Sequence, residues 1–342
     1  MGDPTLSLPA QFNVATYFID RHLAQGRADA LALLYEDKQF TYRQVAEQVN
    51  RAANALARAG IGPQDRVLLL LVDSPAFVAA FWGAIKLGAV PIPANTLLTP
   101  DDYEFLLRDS GARGLLVQDS LVEKVAPVLG RLSELKTVWV AGQAKSGYKS
   151  FEADLAQSAP EAAAAPTHRD APAFWLYTSG STGRPKAAIH LHHDMVYCLE
   201  TFAKQVLEIS PADRTFSASK LFFAYGLGNA LYFPFGVGAA TLLLAERPSA
   251  EKIFEVIRHY QPTIFFAVPT LYAAMLQLPD AAKADLGSVR LAVSAGEALP
   301  TPLYERFRER FGLAILDGIG STEMLHMFIS NWPGDIVPGS SG

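Results

Sequence analysis

"RVLLLLVD", residues 66 to 73, holds an unbroken apolar run between two charged residues. A strand with one wet face alternates apolar and polar positions, so a run without alternation belongs to a strand covered on both faces, as in a parallel sheet flanked by helices. Both flanks agree. Upstream, "FTYRQVAEQVNRAANALARAG" sets Val45, Val49, Ala52, Ala53 and Leu56 at helical spacing, with Thr41 and Gln44 as a capping box and Gly60 as the stop. Downstream, "PAFVAAFWGAIKLG" is a helix ending at Gly88, and "AVPIPAN" is a second short strand. "RGLLVQD" leads into a helix that Ser120 and Glu123 would cap as a second box, and "LKTVWVAG" supplies the next strand.

The rhythm returns in the second half. "RTFSAS", "GAATLLLA", "PTIFFAV" and "VRLAVSAG" read as strands, with helices between them that include Ala250 to Tyr260 behind Ser249 and Pro302 to Phe311 behind Thr301. Alternating strands and helices imply right-handed crossovers, so the fold class is α/β with two packed, doubly wound, mainly parallel sheets. "AQSAPEAAAAPTHRDAP", from Ala156 to Pro172, breaks the pattern and reads as a linker. It divides a first α/β subdomain, 1–165, from a second, 166–342. No solenoid repeat is present.

At 342 residues and 50% hydrophobic content, the chain can bury a large core. The net charge of -5 gives no general attraction to nucleic acid or anionic membranes, so neither is an expected partner. No stretch reaches the ~18 uninterrupted apolar residues of a membrane span, and the first residues lack a basic segment followed by an apolar core. Cys198 is the only cysteine, which rules out an intramolecular disulfide and suits a reducing cytoplasm. The sequence leaves a homodimer open.

"YTSGSTGRPKAAIH", Tyr177 to His190, packs Ser, Thr and Gly into one run closed by Lys186. Glycine lets backbone approach a ligand closely, hydroxyls add small donors and lysine adds charge, a combination suited to phosphate. It is not a Walker loop, because no Gly-Lys-Ser/Thr triplet occurs and "AAIHLH" after Lys186 looks like a strand instead of a helix. His190 and His192 share a strand face, yet no further Cys or His completes a metal site, so packing or capping is the expected role of "HLHH".

The order Tyr-Thr-Ser-Gly-Ser-Thr-Gly-Xaa-Pro-Lys resembles the signature loop of the adenylate-forming superfamily, which joins acyl-CoA synthetases, peptide-synthetase adenylation domains and luciferases. "AVPIPAN" with "LTPDDYEFLLRDSGARGLLV", "FFAVPTLYAAML", "VSAGEALP" and "DGIGSTEM" continue the resemblance in order along the chain. "KLFFAYGLGNALYFPFGVGA" and "DGIGSTEMLHMFISN" look most like the benzoate-CoA ligases.

The resemblance implies a reaction of ATP with a carboxylate to give an acyl-adenylate, followed by transfer to the thiol of coenzyme A. A carboxylate must approach a polyanion, so fixed donors and cations have to offset repulsion. By carry-over, Thr178, Ser179, Gly180, Ser181, Thr182, Gly183 and Lys186 would cradle the phosphates. Thr322 would reach the α-phosphate, and Glu323 would bind Mg²⁺. Ala295, Gly296 and Glu297 with Asp317 and Gly318 would flank the adenine. Phe223, Ala224, Tyr225, Gly320, His326 and Met327 would line a short, flat pocket for a small aromatic carboxylic acid, with Phe223 as an aromatic gate.

The family continues past "PGDIVPGSSG" through the rest of a small β-barrel, a ribose-binding Asp and a mobile C-terminal domain with a catalytic Lys. None has a counterpart in these residues, so they read as an N-terminal part with an incomplete barrel and no lid. Losing a cationic transition-state contact lowers rates ~10² to 10³-fold, so substrate binding with poor turnover is expected. The alternatives are a 4-hydroxybenzoate or other substituted-benzoate ligase, and a non-catalytic module that binds aryl acids.

Overall fold

The computed structural model describes residues 6–178, 183–278 and 285–342. Strands β1 (Leu31–Tyr35) and β2 (Lys38–Thr41) come first in the chain and join the larger sheet. Next come β3 (Arg66–Leu70), β4 (Val90–Pro93), β5 (Gly114–Gln118), β6 (Thr137–Ala141) and β7 (Lys149–Ser150). They form a parallel sheet in the order β4-β3-β5-β6-β7. A hairpin of β8 (Pro172–Thr178) and β9 (Lys186–Leu191) follows. Strands β10 (Arg214–Ser217), β11 (Ala240–Leu243), β12 (Ile264–Ala267), β13 (Leu291–Ser294), β14 (Ile315–Gly320) and β15 (Met327–Ser330) complete an eight-stranded sheet. Its order is β15-β14-β13-β12-β10-β11-β1-β2, with β15 antiparallel to β14. The α/β class with mainly parallel sheets is the observed fold.

Packing divides the chain into two units. One contains Leu6–Ala30 and Phe40–Asp194, and the other Leu31–Gln39 and Met195–Gly342. In the first, Val67 to Leu70 of β3 are fully buried, as the apolar run requires. The helix Tyr42–Arg58 carries the capping box read from sequence: Gln44 N donates to Thr41 Oγ1 at 3.3 Å, and Thr41 N to Gln44 Oε1 at 2.8 Å. It crosses the helix Pro75–Leu87 at Gly83, where an added Cβ would stand 2.7 Å from Ala52 Cβ. A glycine is needed there so that the two helices can touch.

Two local expectations differ from the structure. Ser120 does not cap the helix Val122–Leu129; it lies in a short 3₁₀ turn, Asp119–Leu121, where Asp119 Oδ1 accepts from Ser120 N at 2.7 Å. The aspartate instead bonds the backbone N of Ser120, and the helix starts behind Leu121 with no side-chain cap. The Ala156–Pro172 segment lies inside one unit, not between two, and side chains of the helix Tyr42–Arg58 hold it down. Asn50 Nδ2 donates to Pro160 O at 2.7 Å, and Asn54 Nδ2 to the carbonyls of Ala159 and Glu161, both at 2.9 Å. A segment without its own secondary structure thereby satisfies its carbonyls on a helix. The packing division accordingly falls at 194/195, with Leu31–Gln39 exchanged, and not at 165/166.

In the second unit the core gathers Phe216, Phe265, Tyr272, Ile253, Ile257 and Phe307 between the sheet and the helices Ala250–Tyr260, Pro269–Gln277 and Thr301–Phe311. Ser249 caps the first of these through Lys252 N at 3.2 Å. Among the described residues, no helix is long and apolar enough to cross a membrane.

Candidate active site

The chain runs from β10 to its neighbour β11, then crosses to the other side of β10 to form β12, β13 and β14 in turn. The connections therefore diverge between β10 and β12, and in open α/β sheets a crevice opens outside the carboxyl ends of the strands at such a point. A cavity of about 290 Å³ lies there. Ser219 reaches it after β10, Val268 after β12, and Ala295 and Gly296 after β13. Gly320, Ser321, Thr322, His326 and Met327 come from the β14–β15 connection, and Phe223, Ala224 and Tyr225 from the segment that follows β10. Its size sits near the lower end of the ~300–1,000 Å³ typical of small-molecule sites.

Backbone geometry makes the Phe223 segment tight. Phe223 N donates to Lys220 O at 3.0 Å, and the helix Ala224–Leu227 starts directly after the turn. An added Cβ on Gly226 would stand 2.2 Å from Lys220 O, so only glycine lets this helix lie on the Ser219–Lys220 backbone. Phe223 is 47% exposed while it lines the cavity, which sets it at the rim. Tyr225 points its hydroxyl at the sheet and donates to Val293 O at 3.0 Å; burial pushes its pKa well above the ordinary value.

His326 occupies a ring-lined seat between Phe233 at 4.5 Å, Phe202 at 5.3 Å and Tyr225 at 5.5 Å between centroids. Its Nε2 lies 3.3 Å from Tyr225 O and 3.0 Å from Asn229 Oδ1. A carbonyl can only accept, so the proton belongs on Nε2 and Nδ1 keeps its lone pair. Nδ1 is buried without a protein partner among the described residues. Burial pushes the imidazole pKa down to about 3, which keeps the ring neutral near pH 7.

The turn ahead of His326 is closed by Leu325 N donating to Thr322 O at 3.0 Å and by Met324 N donating to Ser321 Oγ at 3.1 Å. Leu325 has φ +66° and is 1% exposed, a conformation that costs a non-glycine residue about 1–3 kcal/mol. Burial of its side chain holds the strained turn, and the turn sets Thr322 into the cavity.

The six residues assigned to an acid pocket thus come together in one cavity, joined by Thr322, Ala295 and Gly296. Asp317, Gly318, Glu297 and Glu323 do not line it. Asp317 is buried and accepts from Ser341 Oγ at 2.9 Å, and desolvation raises its pKa above the usual carboxylate value. Glu297 and Glu323 are exposed, and no group of three or more His, Cys, Asp or Glu able to hold a metal occurs among the described residues. The exposed carboxylate of Glu323 fits Mg²⁺, which keeps several waters and usually takes only one or two protein carboxylates.

The glycine-rich loop belongs to the other unit. Thr178 ends β8 and pairs in register with Lys186 at the start of β9, so the lysine stands exposed where the hairpin closes. The strand after Lys186 is the one read from sequence. Gly183 has φ +90°, while Ser179, Gly180, Ser181 and Thr182 lie outside the described residues. The nearby histidines serve packing: His190 stacks on Phe174 at 4.9 Å, and His192 Nδ1 accepts from Val14 N at 3.2 Å, with burial lowering its pKa to about 4.

Ser219, Val268 and Ser321 were not singled out in the sequence, although Ser219 lies two residues past β10 and Val268 directly follows the apolar run of β12, so both mark carboxyl ends of parallel strands. Asn229, the buried partner of His326, gave no signal because it sits inside an apolar helical run.

A family model described as AMP-binding enzyme matches residues 20–342. The benzoate–CoA ligase of Thauera aromatica is 47% identical over 340 residues, 99% of this chain and 64% of that protein. The 4-hydroxybenzoate–CoA/benzoate–CoA ligase of Rhodopseudomonas palustris is 40% identical over 332 residues, 97% of this chain and 61% of its own length. The anthranilate CoA ligase AuaEII, crystallised with anthranoyl-AMP, superposes with a TM-score of 0.95 at 40% identity, over 98% of this chain and 65% of that one. A benzoate CoA ligase from Burkholderia xenovorans LB400 gives 0.89 at 42% identity, over 97% and 65%. The chain therefore spans less than two thirds of these relatives.

Proposed function

The chain belongs to the AMP-binding enzyme family, and from that membership we propose that it carries the acid and nucleotide sites of an enzyme that joins benzoate to coenzyme A through benzoyl-adenylate. The observation that carries the proposal is the cavity at the carboxyl ends of β10, β12, β13 and β14. It is small, about 290 Å³, and lined by Phe223, Tyr225, His326 and Met327 together with the small residues Ala224, Ala295, Gly296 and Gly320, so it suits a planar ring better than a long alkyl chain. The relatives named for benzoate support the same substrate class.

In this reading Phe223 and Ala224 orient the ring so that its carboxylate faces Thr322. Thr322 donates to the α-phosphate, where negative charge gathers as the carboxylate oxygen attacks. Thr178, Gly183 and Lys186, with the four loop residues between them, hold the other phosphates. Mg²⁺, when bound, would neutralise phosphate charge, with Glu323 as its protein carboxylate. His326 remains neutral, so it neither attracts the carboxylate nor donates a proton; it sets the shape of the pocket wall.

A second reading, a hydroxy- or amino-benzoate, is supported by the relatives named for 4-hydroxybenzoate and for anthranilate. Incubation with ATP, Mg²⁺ and acid, followed by mass spectrometry, tests both readings. Benzoyl-adenylate is expected, and equal formation of decanoyl-adenylate overturns the aryl-acid assignment. Competition by 2-, 3- and 4-hydroxy- or amino-benzoates that exceeds benzoate favours the second reading.

A further inference from the structure

Lys220 precedes the aromatic segment of the cavity, and a lysine there invites the role of a cation for the substrate carboxylate. Its ammonium goes elsewhere. Nζ donates to the carbonyl oxygens of Leu244, Ala245 and Glu246, the residues that follow β11, at 2.7 Å for Glu246 and 3.4 Å for Ala245. A lysine has three N–H donors, and these carbonyls accept from them. β10 and β11 are hydrogen-bonded neighbours, so this contact ties together the two segments that leave their carboxyl ends.

The backbone of Lys220 is equally engaged. Its carbonyl accepts from Phe223 N at 3.0 Å, and Gly226 lies against it with no room for a Cβ. Ser217 Oγ donates to Ser219 O at 3.0 Å one residue earlier. The side chain therefore anchors one end of a short rigid lever, and Phe223 and Ala224, which line the cavity, stand at its other end.

We propose that Lys220 is a positioning residue for aryl-acid selection: its clamp on the Leu244–Glu246 carbonyls fixes the Phe223 rim of the cavity. The proposal rests on the aryl-acid reading given above for its substrate, though its structural half stands without it. Charge-assisted bonds to backbone carbonyls are stronger than neutral ones, and misplacing a substrate-facing group by about 1 Å lowers rates ~10²-fold. Lys220→Met keeps the stem and removes the donors, whereas Lys220→Arg can restore donors to the same carbonyls.

The test incorporates 4-fluorophenylalanine at position 223 and follows its ¹⁹F resonance in the wild type, Lys220→Met and Lys220→Arg, beside calorimetric titrations with benzoate and with Mg-ATP. The expected result is one narrow line in the wild type, a broadened or split line in Lys220→Met, and recovery in Lys220→Arg. Benzoate affinity should fall at least about tenfold in Lys220→Met, with Mg-ATP affinity unchanged. A general loss of folding would weaken both ligands together. An unaltered ¹⁹F line in Lys220→Met overturns the proposal, as does equal weakening of benzoate and Mg-ATP. A responsive ¹⁹F line in a protein that binds no benzoate supports the clamp and refutes the substrate assignment instead.

Discussion

Gly228 has φ −65° and ψ −54°, ordinary helical geometry in which alanine is favoured over glycine by about 1 kcal/mol. Packing reverses that sign. The added methyl carbon would stand 2.4 Å from His326 Cδ2, 2.8 Å from Nε2 and 2.9 Å from Tyr232 Oη. The imidazole cannot swing away freely, because the Phe202, Tyr225 and Phe233 rings hem it in. Overpacking of a filled core costs ~1–3 kcal/mol, and pulling Nε2 from its acceptors adds the ~1–3 kcal/mol of an unmet buried donor. Gly228→Ala should therefore lose about 1–5 kcal/mol net, read from the midpoint of urea unfolding, and should weaken benzoate because His326 lines the cavity. Gly130→Ala is the control: Gly130 is also right-handed, at φ −65°, with nothing within 4 Å of an added Cβ, so it should be neutral or slightly stabilising. Stability and benzoate affinity in Gly228→Ala equal to those of the control would refute the packing argument.

Lys186→Ala should weaken Mg-ATP ~10- to 100-fold by calorimetry, the range for losing a hydrogen bond to a charged group, and leave benzoate binding intact. A non-catalytic module would show no such loss. Acid should destabilise the chain: His326 and His192 have folded-state pKa values pushed down to about 3 and about 4, below their unfolded value near 6.5. The unfolded state then binds more protons, so their stabilisation is complete above pH 6.5 and is lost progressively as pH falls toward 4 and 3, as urea midpoints across that range should show. Benzoate affinity should not step at pH 6.5, because His326 does not titrate there. Lys86, 2% exposed and bonded to Asp20 at 2.8 Å and Asn50 at 2.6 Å, is a structural cation; Lys86→Met should lower the urea midpoint without changing benzoate affinity.

The elements that sequence made legible are those fixed by local chemistry. The Thr41–Gln44 box, the apolar run of β3, the Gly88 stop and the Ser249 cap depend on residues a few positions apart. Apart from the Ser120–Glu123 box, which a local turn at Asp119 displaced, what failed depended on partners far along the chain. The Ala156–Pro172 segment looks like a linker because its own residues form no repeat, and it is ordered by Asn50 and Asn54 about a hundred residues earlier. The cavity-lining residues could be picked out by resemblance, but their meeting point depends on which strands are neighbours. Strand order also decides that Lys220, adjacent in sequence to the pocket, spends its charge on the carbonyls after β11. Glu323 and Glu297, the same residue type, lie exposed outside the cavity that Thr322 and Gly296 line.

The claim on which the account turns is that the cavity beside β10 and β12 receives an aryl carboxylate. Its most direct test is a calorimetric titration of the chain and of Ala224→Leu with benzoate, with decanoate as control. Ala224 lines the cavity, and the larger side chain fills part of it. Saturable benzoate heat is expected in the wild type, none with decanoate, and loss of the benzoate heat in Ala224→Leu. Benzoate binding that survives in Ala224→Leu, or decanoate binding as tight as benzoate, would contradict that claim.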